Sequence, residues 1–195
     1  MAPSTGASGR PRDTATTRKV LERTWSVIAS GGIDAVDVES IASEVGCAKT
    51  TIYRRWPSKA DLVVAAIESG IERGEDPNTG DVVTDLVEFA MVNVRNHSSR
   101  FAGVALVAHS DVARQLWGRV FAQRQQIAVA VIERAIAAKQ IDADADPIAI
   151  VDLLSGFVNF RAVARAAVDG SRAVTRAEIV QIVSAIVASP PRLIV

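Results

Sequence analysis

Apolar residues recur every three or four positions through almost the whole chain, and strict apolar/polar alternation is rare. That spacing brings side chains to one face of an α-helix, so the chain is expected to be all-α. Helix breakers divide the pattern into segments. Over residues 14–30, Val20, Leu21, Thr24, Trp25 and Ile28 share a stripe that Gly31 and Gly32 close. Asp37 offers an N-cap oxygen to a short helix with Val38, Ile41, Ala42 and Val45 inward, and Gly46 ends it. "KTTIYRRW" makes about two turns before Pro57. Residues 58–73 then restart with Leu62, Val63, Ala66 and Ile67 inward. "GEDPNTGD" (74–81) carries no apolar side chain and reads as a linker. Beyond it, helices are expected over 82–96, 111–139 and 147–168. A last one opens with the capping-box pattern Thr175 to Glu178. The expected organisation is a flexible tail over 1–12, a three-helix unit over 13–63 and a larger helical unit over 64–195.

The last two helices differ from the others in being apolar nearly all round, a pattern that asks for burial on every side. A unit of this size has too much surface to wrap both. A second copy of the chain would cover them in a symmetric four-helix interface. Its candidate residues are Leu153, Leu154, Val158, Ile179, Ile182, Val183 and Ile186. Ordinary core helices are the plainer alternative.

Charge narrows the possibilities by position and not by sum. The 22 basic and 22 acidic residues cancel. Residues 1–62 nevertheless carry a net +2 and residues 63–195 a net −2. Binding to phosphate depends on a local patch, so the neutral sum excludes little. No apolar run approaches the roughly 20 residues of a membrane span. The N-terminus lacks the apolar segment of a signal peptide. Cys47 is the only cysteine, which excludes an intrachain disulfide and a cysteine-based metal site. A chain of this kind suits the reducing cytoplasm, with no membrane partner.

"GCAKTTIYRRWPSK" (46–59) has the outline of a helix, a tight turn at Gly46 and a second helix. Packing Trp25, Ile41, Val45, Ile52 and Trp56 together would leave the other face of the second helix open to a DNA major groove. Lys49, Thr50 and Arg54 on that face are candidates to read bases, since hydroxyls, ammonium and guanidinium groups all donate to base edges. Thr51, Tyr53 and Lys59 are candidates to grip phosphate, as are Thr17 and Arg18 near the start of the first helix. Arg10 and Arg12 suit a flexible basic arm or an incidental tail. The bland alternative is a solvated basic face.

The stretch "VDVESIASEVGCAKTTIYRRWPSKADLV" resembles the DNA-binding segment of the tetracycline-repressor (TetR/AcrR) family of transcriptional regulators. Ile41-Ala42, Gly46, Thr51-Ile52-Tyr53, Trp56 and Ser58-Lys59 follow that family's pattern in order. The similarity covers about residues 15–63; the remainder resembles the family in helical architecture only. It implies a recognition helix over 48–54 and backbone contacts from Thr51, Tyr53 and Lys59. It further implies a homodimer on a palindromic double-stranded operator, acting as a repressor, and a small-molecule effector held in the second, ligand-binding and dimerisation domain. Two positions depart from the pattern. Ala48 stands where a capping serine is common. Glu39 brings a negative charge near the expected DNA surface, where it is expected to turn toward Arg55 or another cation, the alternative being that it accepts from cytosine.

Residues that would line an effector pocket are Phe89, Met91, Phe101, Trp117, Phe121, Phe157 and Phe160, although each aromatic also suits plain core. His109, Asn159 and Arg161 are polar interruptions of apolar segments and need partners if buried. Two histidines without a nearby carboxylate at ligand spacing give no metal site. Neither paired carboxylates with a histidine, nor a nucleophile triad, nor a phosphate loop, nor a cofactor fingerprint is present, so an enzyme and a bound cofactor are not expected. A helical dimeric interaction protein without specific DNA binding is the alternative function.

Overall fold

The computed structural model describes residues 10–97, 110–161 and 174–192. Among the described residues, the regular structure is helical, with one isolated bridge between Ala145 and Arg192. None of these helices is long and apolar enough to cross a membrane. The chain divides into two compact units, Met1–Gly70 and Ile71–Val195. The helix that runs through residue 63 buries Leu62, Val63, Val64, Ala66 and Ile67.

The first unit holds α1 (Arg10–Gly31), α2 (Val38–Val45), α3 (Lys49–Tyr53) and α4 (Lys59–Gly70). α1 starts earlier than the apolar stripe predicts, so Arg10 and Arg12 stand in its first turn and not in a tail. Pro11 is tolerated there because its missing N–H falls among the unbonded amides of a helix start. The side chains of Arg10 and Arg12 lie outside the described residues. Val20 and Ile28 of α1, Ile41 of α2, Ile52 of α3, and Leu62 and Ile67 of α4 are buried. Each contributes roughly 1.5–3 kcal/mol by leaving water. Thr24 is buried among them and donates its hydroxyl proton to the Val20 carbonyl at 2.7 Å. Trp25, Val45 and Trp56, expected in this core, are only half-buried. Trp25 lies against α4, where a Cβ on Gly70 would come within 2.6 Å of its ring.

The ends of α2 and α4 are fixed by local hydrogen bonds. Asp37 Oδ2 accepts from the Ser40 amide at 2.9 Å and the Ser40 hydroxyl at 2.7 Å. Gly46 adopts φ 74°, a left-handed conformation that side chains with a Cβ rarely take. Cys47 N–H then donates to the Ala42 carbonyl at 2.9 Å, closing α2. At the start of α4, Asp61 Oδ2 accepts from the Ser58 amide at 3.1 Å, and Ser58 Oγ accepts from the Asp61 amide at 3.1 Å.

In the second unit, α5 spans Val82–His97 and α6 Ser110–Leu116; a π-helical turn, Trp117–Phe121, leads into α7 (Ala122–Ala137). α8 (Pro147–Asn159) and α9 (Arg176–Ala188) follow. Asp146 caps α8 with Pro147 in its first turn. Thr175 and Glu178 form the expected capping box at α9. The core joins Leu86 and Ala90 of α5, Ala128 and Ile132 of α7, Ile150 and Leu154 of α8, and Ile179 and Val183 of α9. Leu154, Val158, Ile179 and Val183 are each 0% exposed within one subunit, which corrects their assignment to an intersubunit face. The apolar residues left outward on α8 and α9 are Ile148, Leu153 and Val180, with Phe160 just beyond α8. Ile182 and Ile186 are half-buried.

The chain after α4, through the segment read as a linker, is irregular but held by side chains. Asn96 exchanges hydrogen bonds of 2.9 Å with the Glu72 amide and carbonyl. Arg95 forks onto the Glu72 carboxylate at 2.7 Å. Arg134 forks onto Asp76 at 2.6 and 2.7 Å. Gln140 donates to the Gly80 carbonyl at 2.8 Å and accepts from the Val82 amide at 2.9 Å.

Candidate nucleic-acid interface

α3 is five residues long and gains its fixity from packing, since so short a helix is not stable alone. Ile52 is 1% exposed and anchors one face. The opposite side presents Lys49, Thr50, Tyr53 and the C-cap residue Arg54, all exposed; Thr51 is half-buried. Ala48 is the N-cap and supplies no side-chain bond, while its carbonyl accepts from the Thr51 amide at 2.8 Å. Arg54 has no carboxylate partner among the described residues, so its guanidinium is available to an external acceptor.

Four expected DNA-contacting residues make contacts within the protein. Lys49 Nζ lies 3.2 Å from Glu39 Oε2 on α2. The carboxylate of Glu39, through its hydrogen bond and its charge, raises the Lys49 pKa, as Tyr53 and Asp37 do to smaller extents. Glu39 therefore turns toward Lys49 and not toward Arg55. Arg55 instead donates to the hydroxyl of Thr17 on α1. Arg18 is exposed and stands 3.6 Å from Glu22 one turn on. Lys59 is exposed at the start of α4, with Nζ 3.3 Å from the Asp34 carbonyl. Arg23 pairs with Glu44, which joins α1 to α2.

The candidate effector residues do not gather in one place among the described residues. Phe89 is buried in the α5 core. Trp117 is 54% exposed, with its ring 6.4 Å from half-buried Phe121. Phe157 and Met91 are half-buried, while Asn159 and Phe160 are exposed. Arg161 lies over the Phe157 ring at 5.9 Å and bonds Glu178 at 2.6 Å, while its buried Nε has no hydrogen-bond partner among the described residues. Phe101 and His109 lie outside the described residues. No group of three His, Cys, Asp or Glu side chains suited to a metal occurs among those described.

Sequence reasoning missed Arg124, which nothing in "AQRQQIA" distinguishes from a solvated arginine. It is 6% exposed, and its guanidinium lies 5.0 Å from the centre of the Phe89 ring. It donates to Asn93 Oδ1 at 2.6 Å, to the Phe89 carbonyl at 3.4 Å and to the Arg73 carbonyl. Burial pulls its pKa down to about 10, which still leaves it charged at neutral pH.

Residues 20–66 match the family described as bacterial regulatory proteins, tetR family, and residues 76–186 match the tetracyclin repressor-like C-terminal domain. An HTH-type transcriptional regulator of Mycobacterium tuberculosis, itself uncharacterized, is 30% identical over 159 residues, 78% of this chain and 77% of its own. The DNA-binding transcriptional repressor TetR of Mycobacteroides abscessus is 38% identical over 63 residues, 31% of this chain and 33% of that protein. A transcriptional regulator from Saccharomonospora viridis, crystallised in complex with choline, shares the fold with a TM-score of 0.64 at 20% identity. That likeness covers 93% of this chain and 100% of the other.

Proposed function

Because this chain belongs to the tetR family of bacterial transcriptional regulators, which bind DNA through a helix-turn-helix, we propose that it represses transcription as a homodimer on a palindromic operator and responds to a small molecule. The observation that carries this is α3, whose Ile52 is buried while Thr50, Tyr53 and Arg54 face outward. Thr50 and Arg54 read base edges, and Lys49, half-exposed beside Glu39, joins them. Thr51, Tyr53, Lys59 and Arg18 hold the backbone phosphates. In a twofold dimer, two copies of α3 set about 34–36 Å apart would enter successive major grooves on one side of the duplex. The relative named as a DNA-binding transcriptional repressor in Mycobacteroides abscessus supports the sign of regulation.

The choline held by the Saccharomonospora viridis regulator supports a small-molecule effector. An effector that prefers one of two dimer arrangements changes DNA affinity by its differential binding energy, about 1–3 kcal/mol. The path to α3 runs along the chain. Residues 72–80 are pinned to α5, α7 and Gln140 by side-chain bonds, so they move with those elements and pull on α4. Gly74 is itself confined: a Cβ there would meet Val92 at 3.1 Å and Arg124 at 3.2 Å.

The test is selection of bound duplexes from a random pool, followed by footprinting. An inverted repeat with half-sites one helical turn apart supports the proposal. Recovery of no common sequence leaves the chain as a helical dimeric interaction protein. A thermal-shift screen of small molecules, followed by release from the selected duplex, then identifies the effector.

A further inference from the structure

On the reading that α3 meets DNA, we propose that Glu39 is a specificity-determining residue, which holds Lys49 and suppresses its use as a general phosphate contact. Glu39 stands in the first turn of α2, where the helix dipole favours a carboxylate. Ten residues on, Lys49 opens α3 and brings its ammonium to 3.2 Å from Glu39 Oε2. Both side chains remain open to an approaching ligand, with 77% of Glu39 and 49% of Lys49 exposed. The other groups acting on the ammonium are Asp37, also on the α2 side, and Tyr53 one turn along α3.

The chemistry of the approaching acceptor decides what Lys49 can do. A phosphate oxygen carries a full negative charge, and near this ammonium it also meets the Glu39 carboxylate at close range. Like charges so placed repel. A base-edge acceptor such as guanine O6 or N7 is neutral and carries no such penalty. The pair therefore favours Lys49 for base reading and disfavours it for the contact that every sequence offers. Arg54, which has no carboxylate partner among the described residues, lacks this filter.

The experiment measures binding of full-length wild type, Glu39→Gln, Lys49→Ala and the double variant to the selected duplex and to a scrambled duplex across a salt series. Glutamine keeps the size of the side chain and removes the charge. Glu39→Gln should steepen the log–log salt dependence on scrambled DNA by about 0.9, one further phosphate. Between about 50 and 200 mM salt that is roughly a three- to fourfold greater loss of affinity. Its low-salt binding to scrambled DNA should tighten, and the preference for the selected duplex should narrow. The double variant should return to the wild-type slope, because it has lost both charges.

Unchanged melting temperatures would show that the fold is intact in each variant. A Glu39→Gln protein with the wild-type slope and wild-type affinity for scrambled DNA would overturn the inference. So would a steeper slope that persists when Lys49 is also removed, since the effect would then not pass through Lys49. A wild type that discriminates between no duplexes would instead overturn the DNA-binding reading on which the inference stands.

Discussion

At the scale of single residues, function and stability fall on different side chains. Arg124 is a buried polar group that joins α7 to the Arg73 and Phe89 carbonyls and to Asn93. Arg124→Ala leaves those acceptors buried without a donor and should lower unfolding free energy by about 2–4 kcal/mol, read by denaturant titration. Arg124→Lys should restore little of it, because an ammonium does not span the fork of a guanidinium. Gly70→Ala drives a methyl into the Trp25 indole and should cost about 1–3 kcal/mol in the same titration. The exposed face of α3 was legible from sequence because Ile52 and Trp56 set its phase. The partners of Lys49 and Thr17 were not. Both are chosen by side chains distant in sequence, Glu39 and Arg55, whose reach depends on how the helices cross.

At the scale of elements, helix ends were the most readable features and the connections the least. Asp37, Gly46 and the Thr175–Glu178 box all act where local chemistry places them, since a cap depends on residues within one turn. Thr175→Ala should cost about 1 kcal/mol, measured as a lower melting midpoint. The hydrogen bonds from the Thr175 amide and hydroxyl, helped by Arg161, hold the Glu178 carboxyl below its ordinary range. A carboxyl with a lowered folded-state pKa contributes its stability above the unfolded pKa, and that contribution is lost as pH falls through the folded value. The melting difference between wild type and Glu178→Gln should therefore shrink as pH drops below about 4. The 74–81 segment was read correctly as lacking an apolar face, yet composition gave no sign of its attachments. Arg134 lies 58 residues from Asp76, and Gln140 lies 60 from Gly80. The π-helical turn at Trp117–Phe121 likewise interrupts a segment whose apolar period alone predicts one continuous helix.

At the scale of the molecule, the apolar C-terminal helices carry two messages that periodicity merged. One side of α8 and α9 fills the core of its own subunit through Leu154, Val158, Ile179 and Val183. The other leaves Leu153 at 51% and Phe160 at 62% exposed, an apolar face that suits a second copy. Neighbouring substitutions separate the two. Leu153→Glu should weaken the dimer at least tenfold by sedimentation while keeping the subunit folded. Leu154→Ala should leave a cavity and cost about 2–5 kcal/mol in stability. The central claim is that α3 gives this regulator its sequence preference. It is tested most directly by fluorescence anisotropy on the selected duplex and a scrambled one at about 150 mM salt, with wild type and Arg54→Ala. Wild type should prefer the selected duplex by about a thousandfold or more, and Arg54→Ala should narrow that ratio by at least tenfold with an unchanged melting temperature. Equal affinity of the wild type for both duplexes, or an Arg54→Ala protein with the full preference intact, would contradict it.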